Sequence, residues 1–194
     1  MKRSMKTSMA IVAGTATFCL MAPGAGAAPF EKQLALQGLT FHVTSANAGS
    51  TSALKIVVDG LKDPAPPIEK QIDGSVVGAE IADLDANGFP EIYVYTQSAG
   101  SGSWGFAIGY ASNKNKSVTE IFFPPMTKRD SRGYMGHDEF SVVEQYLVRR
   151  FPIYRAGDTN AKPTGGLRQI QYRLRAGEAG WTLRRIKAMD FPPE

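Results

Sequence analysis

Cysteine is almost missing from this chain: one residue in 194, Cys19. It lies in an N-terminal segment with the layout of an export signal, so the rest of the protein has no thiol. That excludes a disulfide framework, a cysteine nucleophile and a cysteine zinc site. Histidine is nearly as scarce. His42 and His137 are the only two, which leaves few general bases. Long apolar runs are also lacking beyond Met9 to Met21, and that run is too short to span a bilayer. A charge excess is missing too. The formal net charge is +4, but Lys2, Arg3 and Lys6 sit in the leader. The remainder is close to neutral, which argues against a nucleic-acid partner.

The leader reads as a signal peptide over residues 1–27. Lys2, Arg3 and Lys6 form its basic start and Met9 to Met21 its apolar middle. Pro23 and Gly24 break the run, and Ala25-Gly26-Ala27 supplies the small-residue cleavage pattern. Thr17-Phe18 before Cys19 does not fit a lipoprotein signal. The protein is thus expected in the periplasm or outside the cell, with no membrane insertion after cleavage. Residues 28–194 are enough for one domain with a real core. No linker or repeat divides them.

What is present is strand patterning. Leu39 to Thr44 alternates apolar and polar residues, and Leu54 to Val58 is β-branched. Short runs follow at Val76 to Leu84, Ile92 to Thr96, Phe106 to Tyr110 and Val118 to Phe123. Further runs are Phe140 to Val143, Leu147 to Tyr154, Gln169 to Leu174 and Trp181 to Ile186. Turn signals separate them, among them Asp59-Gly60, Asp73-Gly74, Asn87-Gly88 and Gly177-Glu178. The expected fold is all-β, an antiparallel sandwich of about eight short strands with little helix. Asp138 to Arg150 is compatible with a helix or with two strands joined at Glu144-Gln145, and the hairpin is the preferred reading. Residues 146 to 187 are rich in arginine, the pattern of a solvated strand face or of a basic face for an anionic partner.

Two loops carry candidate chemistry. Asp83-Leu84-Asp85-Ala86-Asn87-Gly88-Phe89-Pro90-Glu91 looks like the start of a calcium loop, D-x-D-x-[DN]-G, with Asp83, Asp85 and Asn87 as candidate ligands. The twelfth position of an EF-hand falls on Val94, and a strand follows instead of a helix. The pattern is closer to Asp/Asn-Gly loops that precede strands in β-propeller repeats. It also fits a polar turn bonded to its own backbone. The second loop is Ser98-Ala99-Gly100-Ser101-Gly102-Ser103-Trp104-Gly105. Its small residues favour a tight, protruding turn between two strands, with hydroxyls and an indole at its tip. Gly100-x-Gly102-x-x-Gly105 matches a dinucleotide fingerprint only by spelling, because a strand and not a helix follows. Ser103 lacks the glycine two residues before it that a nucleophile elbow needs. Gly136-His137-Asp138-Glu139 offers a thin metal shell, since adjacent residues diverge. No enzyme and no cofactor are expected.

Five blocks in order carry a resemblance: Asn87 to Tyr95, Ser98 to Gly105, Gly133 to Phe140, Leu147 to Tyr154, and Asn160 to Gly166. Over roughly Gly74 to Trp181 the chain resembles the periplasmic inhibitors of invertebrate-type (i-type) lysozyme. The resemblance implies a β-sandwich, a homodimer, export by a Gram-negative bacterium, and a Ser/Gly-rich loop inserted into the lysozyme cleft. The family's Ser-Gly-x-Tyr element falls on Ser101, Gly102, Ser103 and Trp104. Ser101 would then hydrogen-bond a catalytic carboxylate of the lysozyme. Trp104 stands where the family has Tyr, so a group that donates and accepts is replaced by one that only donates. The alternative is a calcium- or glycan-binding β-module of the cell envelope.

Overall fold

The computed structural model describes residues 27–193. The expected leader, apart from Ala27, lies outside the described residues. Among these residues there are twelve strands and no helix. The first sheet contains β1 (Phe30–Leu36), β2 (Leu39–Ser45), β3 (Thr51–Asp59) and β4 (Ile68–Asp73). The second contains β5 (Ser75–Ala82), β6 (Glu91–Gln97), β7 (Gly105–Asn113) and β8 (Ser117–Ile121). The third contains β9 (Glu139–Val143), β10 (Tyr146–Pro152), β11 (Leu167–Gly177) and β12 (Gly180–Phe191). Every pairing within a sheet is antiparallel and joins neighbours in sequence.

The all-β expectation holds, but "about eight" strands becomes twelve and one sandwich becomes two that share a middle sheet. The strand β6 shows why. Its side chains alternate between faces. Ile92 and Val94 pack with Phe41, Val43, Leu54 and Ile56 of the first sheet. Tyr93 and Tyr95 pack with Leu147, Phe151, Ile170 and Tyr172 of the third. Both faces are therefore dry, and the strand reads as a nearly unbroken apolar run. At about 25 cal/mol per Å² of apolar surface, such double burial is the main source of stability here.

The strands missing from the sequence reading are β1 and β4. Their mostly exposed positions carry Glu31, Lys32, Gln33, Glu69 and Gln71, so their hydrophobic periodicity is too faint to reveal them. Both lie at the edges of the first sheet, where charge guards against pairing with other chains. The preferred hairpin at Glu144-Gln145 is present, with Val143 opposite Tyr146 and Glu144 at φ 54°. The last hairpin also forms, with Gly177 opposite Gly180. A parallel bridge between Phe122 and Thr182 ties the second sheet to the third.

Candidate functional site

The two candidate loops stand at opposite ends of β6. The Asp83 loop enters it and the Ser98 loop leaves it.

The Ser98 loop closes the β6–β7 hairpin, whose last register pair is Gln97 with Gly105. Ser98 N–H donates to the Trp104 carbonyl at 2.9 Å, and Ser98 Oγ accepts from Trp104 N–H at 3.0 Å. Ser103 N–H donates to the Gly100 carbonyl at 3.0 Å. The loop does not stand free, as a protruding finger would. It leans on the segment before β9. His137 N–H donates to the Gly102 carbonyl at 2.9 Å, and Asn160 Nδ2 donates to the Ser101 carbonyl. Gly136 makes this approach feasible: with φ at 96°, a Cβ there would meet the Gly102 oxygen at 1.8 Å. Gly102 is needed for a second reason. The Trp104 indole lies over it, and a Cβ would sit 2.3 Å from the indole nitrogen.

Trp104 is 42% exposed and meets Tyr134 edge-on at 4.8 Å between ring centres. Its indole N–H makes no hydrogen bond among the described residues, and neither does the Ser101 hydroxyl. Ser103 differs. Its φ is 42°, and its hydroxyl turns inward toward the Gly100 carbonyl at 3.4 Å. Beside Trp104 lies a hollow of about 380 Å³, lined by Phe106, Phe123, Met126, Tyr134 and Phe140 among others. Phe106 on its rim is exposed.

Beneath the loop is a buried network that sequence reasoning missed. Asp138, with no exposed side-chain surface, accepts from Arg149 Nε at 2.7 Å and from Gly105 N–H at 2.9 Å. The Tyr134 hydroxyl donates to Asp138 and accepts from Arg149 Nη2 at 2.8 Å. Burial raises the Tyr134 pKa, and its hydrogen bond to Asp138 pushes the same way. The Arg149 guanidinium also lies over the Tyr134, Phe140 and Phe151 rings at 5.0–5.7 Å. Asp138 thus clamps the base of the Ser98 loop and does not converge with His137 and Glu139 on a metal. The signal in the sequence was an arginine at position 149, on the apolar side of an alternating strand.

The other loop is built mainly from its own side chains, with one bond from outside, Gln37 Nε2 donating to Asp83 Oδ2 at 2.7 Å. Asp83 accepts from the N–H groups of Asn87 and Gly88 at 2.9 and 2.8 Å. Asp85 accepts from the Asn87 side chain at 3.0 Å, and Asn87 Oδ1 accepts from Phe89 N–H at 2.7 Å. Asn87 is exposed and the two aspartates are half-buried. Glu91, the first residue of β6, completes the cluster. Its Oε2 accepts from Leu84 N–H at 2.7 Å, and burial pushes its pKa up to about 8, with the Asp85 and Asp83 charges adding to the rise.

The histidines are elsewhere. His42 on β2 contacts Asp59 at 2.9 Å. His137 has φ at 58° and meets Asn160 Oδ1 at 3.2 Å. Gly105 opens a strand, so the glycine fingerprint has no helix to hold a pyrophosphate. No family model, curated protein or solved structure matches this chain.

Proposed function

We propose that this protein is a docking protein that blocks another protein's cleft with the Ser98 loop. The particular target we assign is i-type lysozyme. One observation carries the reading. The loop's Ser101 and Gly102 carbonyls are occupied from behind by Asn160 and His137, while the Ser101 hydroxyl and the Trp104 indole face outward without partners among the described residues. A loop fixed in this way loses little entropy when it docks. It presents one small donor beside one large aromatic, and a tryptophan is the kind of anchor that carries most binding energy at interfaces.

A lysozyme cleft holds carboxylates at its centre and is shaped for a sugar chain. A serine O–H donates to such a carboxylate, and an indole fills a sugar subsite by stacking. The resemblance in the five sequence blocks supports the same target, and with it export and a homodimer. No cofactor enters this reading.

Titrating the protein into purified i-type lysozyme, with cell-wall lysis as the readout, tests the proposal. Lysis is expected to fall to zero at saturation. Trp104→Ala should weaken inhibition by about 2 kcal/mol or more, roughly thirtyfold. Lysis that persists at saturating protein overturns the assignment, and inhibition unchanged in Trp104→Ala removes the loop from it.

A further inference from the structure

The Asp83 loop has no part in that docking surface, and its chemistry points elsewhere. Candidate ligand atoms of Asp83, Asp85 and Glu91 lie within 4.8 Å of one another. Two oxygens on opposite sides of a cation at about 2.4 Å would be about 4.8 Å apart, the span of a calcium shell. Among the described residues, no Lys, Arg or His forms an ion pair with any of the three.

Aspartates in an exposed turn are ordinary, and they alone would mean nothing. Glu91 is the separate observation. It belongs to β6 and not to the turn, and it is only 1% exposed. One of its oxygens takes the Leu84 N–H. The other accepts no hydrogen bond among the described residues, though the carboxylate stands against two more. Ionising a carboxyl buried without a counter-charge costs several kcal/mol, so the site needs a cation before Glu91 can carry its charge. Two residues along the same face of β6, the fully buried Tyr93 hydroxyl also lacks a partner. The fold uses one Glu91 oxygen, on the buried Leu84 N–H; a neutral glutamine would serve that donor as well, so the charge itself has no structural task here.

We propose that Asp83, Asp85 and Glu91 form a calcium site that locks the β5–β6 connection, with Asn87 bracing Asp85 from the side. All three ligands are hard oxygens, and none offers the nitrogen or sulfur that zinc or copper prefers. The existing hydrogen bonds leave room: Asp83 Oδ2 is filled by Gly88 N–H and Gln37 Nε2, but Asp83 Oδ1 and both Asp85 oxygens each keep a lone pair, and the second Glu91 oxygen accepts nothing among the described residues. The calcium replaces the missing counter-charge beside Glu91. The site reads D-x-D-x-N-G-x-x-E from Asp83 to Glu91, with the last ligand supplied by the strand itself.

The test uses the purified protein stripped of metal by a chelator, with calcium alone as the probe. Calorimetry should show one calcium per chain. Tm should rise by roughly 5–10 °C at a hundredfold excess over Kd. Magnesium, which demands a tighter octahedral shell, should raise it less. Glu91→Gln keeps an acceptor for Leu84 N–H and should weaken calcium binding at least tenfold. If that variant fails to fold, Asp85→Asn in the turn makes the same comparison. Absence of both heat and a Tm shift in millimolar calcium overturns the proposal. So does an equal response to magnesium, or undiminished calcium binding in the variants.

Discussion

The two ends of β6 solve the same problem by different means. At its start, the Asp83 loop is shaped mainly from within: Asp83, Asp85 and Asn87 bond the backbone of their own turn, within five residues, and a single outside side chain, Gln37, donates to Asp83 at 2.7 Å. At its end, the Ser98 loop is shaped from outside by residues 33 to 59 positions away, through Asp138, His137 and Asn160. The first device is local and survives as long as the turn does. The second exists only when the third sheet is docked on the second. A loop that must meet a foreign surface in one shape gains from the second arrangement, since its outer side chains stay free of structural duty.

The largest expected effect breaks that outside support. Asp138→Ala leaves Arg149 buried without its carboxylate and Gly105 N–H without an acceptor. Removing one partner of a buried pair costs about 3–5 kcal/mol. Urea unfolding should show that loss in the midpoint. Under the proposed docking role, inhibition of i-type lysozyme should fall further than stability alone explains, because the hairpin base opens. A midpoint within error of the unsubstituted protein would mean that the network does not hold the loop.

The same contrast decides what the sequence could reveal. The Asx bonds of the Asp83 loop were legible because Asp, Asn and Gly at alternate positions act on their own neighbours. Glu91 was not, since its role depends on burial between two layers that periodicity cannot count. Likewise β6 was recognisable as a strand but not as the middle of three layers. The edge strands β1 and β4 left only a faint alternation, Phe30, Leu34 and Leu36 in one and Ile68 and Ile72 in the other, broken by Lys32 and Lys70. The loop tip was visible as Ser and Gly around Trp104. The clamp of Tyr134, Asp138 and Arg149 was not, for it joins three segments through register that only the fold sets.

A smaller effect comes from acid. Asp130 anchors the turn that leads into Gly133 to Asp138, the wall behind the Ser98 loop. Its carboxylate accepts from Arg185 and from Thr127. The Arg185 bond holds its pKa below the ordinary 3.8 against burial, which acts to raise it. A lowered carboxyl pKa means the unfolded chain takes up the proton first. The stability it lends is therefore complete above about pH 4 and drains as pH falls through the lowered value. The loss should reach about 1.5–3 kcal/mol, the worth of a hydrogen bond to a charged group. In Asp130→Asn, unfolding curves between pH 4 and 2 should lose part of their slope. An unaltered slope would show that this pair does not couple the wall to pH.

The smallest effect is the most discriminating, because it separates shape from stability. Asn160 donates to the Ser101 carbonyl from the exposed side of the molecule and meets His137 through its oxygen. A hydrogen bond contributes about 0.5–1.5 kcal/mol net, so Asn160→Ala should lower the unfolding midpoint by much less than Asp138→Ala does. The loop should nonetheless loosen. Ser103 N–H, which bonds the Gly100 carbonyl inside the loop, should exchange with deuterium faster. Asn87 and Gly88 N–H, held by Asp83 within their own turn, should exchange as before. If both loops respond together, they are coupled along β6 and the division between inner and outer support fails. If only the Ser98 loop responds, and inhibition weakens with it, the shape of the tip depends on a residue that touches it solely from behind.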